Sequence, residues 1–595
     1  MEGATRLELP GFGKPLDAVS ITPGAKYCLH ALWSSFRFES VGLKLREVRM
    51  MEFMNQITDK PEWECKVFDE EIVNNWRKEA MGPQAQEMNL DGDVYMSEKM
   101  FDNCIKELRD KVKEYKDTGL ISILDAEIEV VKSDSVIPSS LAAQLKTAVK
   151  PLEDVPEHHK DWHPESENKV LDLLHPSLFP MVYGASRVLP YGKVPLRGCA
   201  EFTGKGETYA MLKEVRYSGA PFLLGNTQWL PSDVAWTPSG GTQITSYINN
   251  LHPDDHPELY AVLEQFVTAA VPLWERCLYI RDNTFGPPDI IAKPRISQDP
   301  RGDEEDFYIP EGVVYDRPPP EEDEYEDEYM WTDEYLEWKE AHRVLTWPEP
   351  DDYDPSRTRS AEDRPNLRAL FPDGLQVIFK LANIHLTPDD PIYRGGSLHV
   401  EGALNDRIVA AALFYYDCEN ITESVLTLHH PVDSEELRMI PPQNEHESLE
   451  RWLGISTDDP ALQRLGRVVT REGRFIAFPN VLAHQVQPFT LADDSRPGHR
   501  KILAMFLVDP HIRVLSTSVV PPQRKDWWAH EVRKISPLSD LLLEIFDLII
   551  ESVEGFPMSW KDALDTREIL IEERRWARGA FDSIMEDNTY NFCEH

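Results

Sequence analysis

Short apolar runs separated by turn residues fill the segment from residue 366 to residue 520. Among them are LQVIFKLANIHL at 375–386, RIVAAALFYYD at 407–417 and KILAMFLVDP at 501–510. Six or seven such runs within about 150 residues are typical of a β-barrel or a two-sheet jelly roll. The pattern therefore predicts a β-rich core in this part of the chain.

Helical periodicity marks the regions on both sides of the β-rich segment. Apolar residues recur at helical spacing in the ranges 70–80, 100–116, 257–278, 538–554 and 560–584. Pro272 lies inside the third of these ranges and is expected to kink or end its helix. Together the patterns predict an α+β fold, with a double-stranded β-helix (jelly-roll) core and flanking N- and C-terminal helices.

Changes in composition divide the chain into five regions. They are a mostly helical N-terminal region (1–165), an α+β region that packs on the core (166–300), an acidic linker or insertion (301–365), the jelly-roll core (366–520) and a set of C-terminal helices (521–595).

The most acidic stretch of the chain precedes the core. Residues 301–340 contain 17 Asp or Glu residues and 3 Lys or Arg residues, with aromatic residues between the acidic ones. Two interpretations fit this composition: a solvated linker or insertion, or a docking segment at 301–363 for a basic protein partner.

The overall charge narrows the classes of partner. The chain has 595 residues and a formal net charge of −42, which repels phosphate backbones and anionic membranes, so neither nucleic acid nor membrane is expected as a partner. No apolar run reaches the length of a membrane span, and the N-terminus has no secretory pattern. The seven scattered cysteines include no CxxC motif. These features predict a cytoplasmic or nuclear protein that is not secreted.

Three residues of the β-rich segment carry metal-binding chemistry. His399 and Glu401 stand two positions apart, so on a strand both side chains face the same way. His484 follows the apolar run RFIAFPNVLA, and Arg500 stands near the start of the last run. Two histidines and one carboxylate form the facial triad of non-haem iron(II) oxygenases, and an arginine suits an anionic cosubstrate.

These residues resemble the motif of the iron(II)/2-oxoglutarate-dependent dioxygenases, especially the prolyl-hydroxylase-like branch. The resemblance also rests on the turn at 395–397 and on the passage 478–510. It implies that the cofactors are Fe(II) and 2-oxoglutarate, that His399, Glu401 and His484 are catalytic iron ligands, and that Arg500 anchors the far carboxylate of 2-oxoglutarate. Two further candidates for cosubstrate binding are Tyr416 and Lys380.

Several alternatives stay open at this stage. The carboxylate ligand is Glu where Asp is commoner in the family, and Arg496 competes with Arg500 as the anchor. The protein could instead be a non-catalytic jelly-roll scaffold that uses its acidic segment, or a cupin-type metal enzyme without 2-oxoglutarate. The primary substrate is either a small molecule or a peptide side chain.

Other histidines and motifs are weaker candidates for a metal site or a catalytic site. His429 and His430 end one apolar run but have no carboxylate at short spacing on the same run. His252 and His256 lie near two aspartates at a predicted helix entrance, where capping is the simpler role. The sequence contains no dinucleotide-binding fingerprint, P-loop or nucleophile elbow.

Most of the chain also resembles an uncharacterised fungal family, domain of unknown function 4246. The matching sequence segments are VYGASRVLP (182–190), TQWLPSDV (227–234), TQITSYINNLHP (242–253) and SLHVEG (397–402). This resemblance implies no substrate. It does imply that the N-terminal part and the β-rich core belong together.

Overall fold

The computed structural model describes thirteen stretches of the chain. They are residues 5–16, 26–28, 42–82, 94–208, 225–278, 280–282, 292–296, 306–315, 333–358, 360–433, 437, 446–587 and 589–590. The predicted acidic segment therefore falls in part outside the described residues.

The helices account for most of the N- and C-terminal regions. The α-helices are Leu45–Ile57, Trp63–Lys66, Glu70–Met81, Glu98–Thr118, Ser139–Glu153, Pro257–Cys277, Asp333–His342, Leu367–Leu370, Glu447–Leu453, Lys525–Val532, Leu543–Glu551 and Trp560–Asp587. Short 3-10 helices cover Glu157–His159, Cys199–Phe202, Pro355–Arg357, Ala361–Asp363, Leu404–Asp406 and Leu538–Asp540. Among the described residues, none of these helices is long and apolar enough to cross a bilayer.

The expected end of the helix at Pro272 is wrong, because one helix runs through this residue from Pro257 to Cys277. A proline costs the helix one backbone hydrogen bond. The helix offsets this cost by packing: its Phe266 ring lies 5.0 Å from the ring of Phe414 in the core. Tertiary packing therefore outweighs the local preference of the proline.

Within the described residues nine strands form the β-rich core, and we label them β1 to β9. They are β1 (Leu375–Leu386), β2 (Ile392–Tyr393), β3 (Ile408–Glu419), β4 (Val425–Pro431), β5 (Leu462–Val469), β6 (Phe475–Pro479), β7 (Ala483–Val486), β8 (Phe489–Thr490) and β9 (Gly498–Val508). The fold is α+β, as the sequence predicts.

The remaining strands lie outside this core segment of the sequence. They are Leu9–Pro10, Gly13–Lys14, Lys26–Cys28, Ile121–Ile123, Val130–Ser133, Asp161–Trp162, Val170–Leu174, Met181–Val182, Arg187–Val188, Glu207–Thr208, Thr227–Gln228, Ser232–Trp236, Thr242–Ile244, Ile280–Asp282, Phe307–Tyr308 and Val344–Leu345.

The core strands belong to two groups that face each other. In the larger sheet the order at the centre is β1–β9–β3–β6, and all these pairs are antiparallel. In the smaller group β5, β4 and β7 form one sheet, and β2 pairs with β8. Strand Val170–Leu174 extends the larger sheet by pairing with the second half of β1.

Alternation along the strands separates an inner face from an outer face. Inner residues such as Leu413 and Phe506 share an apolar cluster with Leu426 and Leu428 of the smaller group. Outer residues such as Phe414 pack against the helices Ser139–Glu153 and Pro257–Cys277. Side chains on the inner face therefore point into the space between the two groups of strands.

Candidate metal centre

His399 and His484 face each other across a pair of backbone hydrogen bonds. The amide of His399 donates to the carbonyl of His484 (3.1 Å), and the amide of His484 donates to the carbonyl of His399 (2.9 Å). Directly opposed residues of an antiparallel pair place their side chains on the same face. His484 lies in β7, so this strand holds both imidazoles at one point between the two groups of strands.

The carboxylate of Glu401 lies close to both imidazole rings. Its Oε1 atom lies 3.3 Å from Nε2 of His484 and 3.9 Å from Nε2 of His399. The two imidazole rings are 4.5 Å apart between centroids. Adjacent ligands of one octahedral ion lie about 3 Å apart when each metal–ligand bond is about 2.1 Å. The three side chains therefore have the separation that a single metal ion requires.

The three side chains differ in their access to solvent. The exposed fraction of the side chain is 38% for His399, 12% for Glu401 and 5% for His484. The site is thus closed on the side of His484 and open on the side of His399. The imidazole of His399 is therefore the part of the site that is most exposed to solvent.

A tight turn fixes the tautomer of His399. Its Nδ1 atom donates to the carbonyl oxygen of Ser397 (2.8 Å), which leaves the lone pair of Nε2 for a metal. Gly395 in this turn has a φ of +93°, and a Cβ there would lie 2.9 Å from the carbonyl oxygen of Val486. The glycine is therefore needed for the close approach of the turn to β7.

The charges of the site favour a bound cation. Burial raises the pKa of Glu401, but the hydrogen bond from His484 and the neighbouring His399 outweigh it and lower the pKa to about 2. Desolvation by the surrounding protein and the neighbouring His484 lower the pKa of His399. At neutral pH the site therefore combines a carboxylate with a neutral His399 imidazole, the forms that bind metal.

Asn480 is a positioning residue that the sequence pattern does not indicate. Its side chain accepts from the amide of Glu401 (2.8 Å) and donates to the carbonyl of Glu401 and the carbonyl of Ile408 (both 2.9 Å). The residue is completely buried. Asn480 therefore fixes the backbone from which the Glu401 carboxylate extends.

We expect Asn480→Ala to weaken both the fold and the metal site. Three backbone groups, one buried and two partly buried, lose their partner, so the free energy of unfolding should fall by about 2 to 4 kcal/mol in urea denaturation. Metal affinity should fall about tenfold or more, because the carboxylate loses its support. The control is Asn405→Ala, which removes buried bonds to the carbonyl of Thr227 instead. Equal loss of metal affinity in both variants would contradict the positioning role.

Arg500 lies on the inner face of β9, and its guanidinium is buried. The residue is 2% exposed, and its Nε and Nη2 atoms have no hydrogen-bond partner among the described residues. Two aromatic rings lie near the guanidinium, with Cζ 4.7 Å from the ring centre of Tyr415 and 5.9 Å from that of Phe489. A buried, unpaired guanidinium is costly. The geometry therefore suits an anion that is bound from outside the chain.

The other predicted anchor and the predicted tyrosine lie elsewhere. Arg496 is exposed and pairs with Asp493 (3.0 Å). Tyr416 belongs to the outer face of β3, where its hydroxyl donates to Asn383 (2.9 Å). The structure thus does not bring Tyr416 to the three ligands, and its neighbour Tyr415 is the residue in contact with Arg500.

Lys380 faces inward from β1, opposite Ala504 of β9. It forms no hydrogen bond or ion pair with the part of the chain that the structure describes. Its positive charge contributes to lowering the pKa of Glu401 and of His399. Lys380 therefore lies on the inner face of its sheet, which is the face that the three metal ligands adjoin.

The rival histidines are not assembled into a metal-like group. His430 Nε2 lies 3.1 Å from Oε1 of Gln463. Within the described residues, three groups bring at least three ligand-type side chains together: His399 with Glu401 and His484, His163 with Asp172 and His175, and Cys28 with Asp509 and His511. The last two groups were not predicted, because their members share no short sequence motif.

The comparison with known families agrees with the resemblance of the sequence to domain of unknown function 4246. The family described as "Protein of unknown function (DUF4246)" matches residues 98–531, and the related family "Domain of unknown function DUF4246, N-terminal" matches residues 9–79. No curated protein matches the chain.

Solved structures give only distant likenesses. The "Fe(II)/(alpha)ketoglutarate-dependent dioxygenase TqaL" is 14% identical, with 24% of this chain and 47% of that chain covered and a TM-score of 0.16. EvdO2 from Micromonospora carbonacea var. aurantiaca, complexed with 2-oxoglutarate, is 14% identical, with 22% and 53% covered and a TM-score of 0.13. The chain thus spans about half the length of these proteins. Likenesses at this level carry no argument about function.

Proposed function

The chain belongs to the DUF4246 family, and we propose that it is an iron(II)- and 2-oxoglutarate-dependent dioxygenase. One observation carries the proposal. Two imidazoles and a carboxylate, with ligand atoms within 4.8 Å of one another, share the inner face with a buried guanidinium whose Nε and Nη2 atoms have no described hydrogen-bond partner.

The strand order supports a double-stranded β-helix as the scaffold. If β7 and β8 are counted as one interrupted strand, the core has eight strands. In one sheet the order is β1, β9, β3, β6. In the other sheet the order is β2, then β8 and β7 as one strand, then β4 and β5. Two sheets connected in this way form a jelly roll. We therefore infer that the core is a jelly roll with the site between its two sheets.

The donor set fits iron(II). His399 Nε2, His484 Nε2 and one Glu401 oxygen would hold the ion, and two nitrogens with one carboxylate leave further positions open. Iron(II), when bound together with 2-oxoglutarate and dioxygen, supplies the hydroxylation of a substrate C–H bond with release of succinate and carbon dioxide. Glu401 remains charged across the neutral range and offsets part of the charge of the ion.

Arg500 fits the cosubstrate. Its guanidinium fork pairs with a carboxylate through two parallel hydrogen bonds. The Tyr415 ring keeps the guanidinium in place, because a cation is attracted to the face of an aromatic ring. The buried arginine therefore favours an anionic cosubstrate over the scaffold and cupin-type alternatives.

Succinate formation tests the proposal. Wild-type protein with iron(II), 2-oxoglutarate and ascorbate in air is expected to form succinate. The variant His399→Ala/His484→Ala should show only the protein-free background, because it keeps a single ligand. His429→Ala, outside the three ligands, is the control and should match wild type. Succinate that is absent in wild type, or unchanged in the double variant, would contradict the proposal.

A further inference from the structure

A second polar cluster consists of His163, Asp172 and His175, and it extends the inner face beyond the metal ligands. Strand Val170–Leu174 pairs with β1 so that Asp172 lies opposite Ala382 and Leu174 lies opposite Leu381. By alternation Ala382 and Lys380 share the inner face, so Asp172 and Lys380 are diagonal neighbours on one surface. The metal site and this cluster therefore face the same space.

The carboxylate of Asp172 is only half satisfied. His163 Nδ1 lies 2.7 Å from Oδ2, and the side chain of Asp172 is 1% exposed. The other oxygen, Oδ1, is buried and has no hydrogen-bond partner among the described residues. A buried carboxylate oxygen without a donor is costly, and a positively charged donor would offset the cost best.

The cluster is poorly suited to a second metal ion. The amide of Ser177 donates to Nδ1 of His175 (3.2 Å), so the neutral ring carries its proton on Nε2 and has no second lone pair. The ammonium of Lys380, which lies diagonally from Asp172, would also repel a divalent ion that brings no anionic group of its own. An organic ligand fits this surface better.

Lys380 and Arg500 serve different parts of the inner face. Ala504, which lies opposite Lys380, is four residues along β9 from Arg500, a distance of about 13 Å. The guanidinium of Arg500 lies over the rings of Tyr415 and Phe489, whereas Lys380 lies diagonally from Asp172 on the sheet. Lys380 is thus free to bind a different anion from the one at Arg500.

We propose that Asp172 and Lys380 recognise the primary substrate, and that its head group is the zwitterion of an α-amino acid. The substrate ammonium would donate to Oδ1 of Asp172, and its carboxylate would accept from Nζ of Lys380. This inference rests on the proposed function, because it names the substrate class of that site. His163 supports Asp172 by binding its other oxygen.

The charge balance favours a zwitterion over a simple amine or acid. Asp172 and Lys380 bear opposite charges, yet no carboxylate oxygen of Asp172 lies within ion-pair distance of Lys380 in the described chain. A ligand that carries both charges satisfies both groups without adding net charge to the site. Solvent reaches the edges of this surface, since the side chains of His163 and His399 are 33% and 38% exposed.

Three matched pools of compounds test the inference. The pools are the proteinogenic L-amino acids, their N-acetyl derivatives, which lack the ammonium, and their amides, which lack the carboxylate. The readout is succinate formed from 2-oxoglutarate by the iron-loaded wild-type protein. We expect the free amino acids to stimulate succinate formation about tenfold or more over either blocked pool.

Variants assign the effect to the two side chains. Asp172→Asn and Lys380→Met should lose the stimulation, and Lys160→Met, whose side chain pairs with Glu157 at the surface, should keep it. Blocked pools as effective as the free amino acids, or no stimulation by any pool, would overturn the inference while leaving the dioxygenase proposal intact. If iron and 2-oxoglutarate fail to bind at all, the proposed function fails instead. Calorimetric binding of the free pool to metal-free protein then decides the zwitterion site alone.

Discussion

Arg500→Met is expected to weaken 2-oxoglutarate binding about 100-fold and at the same time to stabilise the protein without cosubstrate. The first effect follows from the loss of a bidentate, charge-assisted pair inside the protein. The second follows because the guanidinium has no described partner for its Nε and Nη2 atoms, so a methionine of similar length removes a desolvation cost. The free energy of unfolding should rise by about 1 to 3 kcal/mol.

The two expected effects have opposite signs, because 2-oxoglutarate binding becomes weaker while the free energy of unfolding rises. A general disruption of the fold would not produce both. Cosubstrate affinity is measured by calorimetry on the metal-loaded protein, and stability by urea denaturation of the apo protein. Arg496→Met is the matched control, because that arginine is exposed and pairs with Asp493. Arg500→Met that unfolds more easily than wild type would show that the guanidinium is a structural group and not a ligand-binding one.

Single substitution of either histidine ligand is expected to lower metal affinity about 100-fold or more. His399→Ala and His484→Ala each remove one of three ligands, a larger change than loss of a supporting residue, which costs about 10- to 100-fold. His399→Ala should leave the fold intact, because the side chain is partly exposed. His484 is more deeply buried, so its variant also needs a stability check.

Cobalt(II) absorption is a direct probe for this second prediction. Titration of the apo variants gives their metal affinity without any need for turnover. His385→Ala is the control, since that residue lies on the opposite face of β1 from Lys380, away from the ligands. Retained affinity in both His399→Ala and His484→Ala would place the metal elsewhere in the protein.

Much of the site could be predicted because its residues follow local rules. The structure has no regular strand at 399–401, where His399 forms an isolated bridge with His484 and Glu401 lies in a bend, yet the two side chains converge as their spacing of two predicts. The rest depends on which face a strand turns inward. The run AAALFYY is apolar on both faces, because β3 is covered on both sides, so its sequence does not distinguish Tyr415 from Tyr416.

Long-range pairing explains what the sequence could not predict. Asp172 reaches the inner face only because its strand pairs with β1 more than 200 residues later, with a register shift beside Ala382. Asn480 acts through the backbone of Glu401, and no side-chain pattern marks such a role. Pro272 shows the converse, since burial of its helix overrides a strong local signal.

The most direct test of the account is an anaerobic titration of the apo protein with iron(II) and then with 2-oxoglutarate. We expect stoichiometric iron binding, followed by a weak visible metal-to-ligand charge-transfer band that forms only when both iron(II) and 2-oxoglutarate are present. The band should be lost in His399→Ala/His484→Ala and should require far more 2-oxoglutarate in Arg500→Met. A well-folded protein that binds no iron, or binds it without forming the band, would contradict the account.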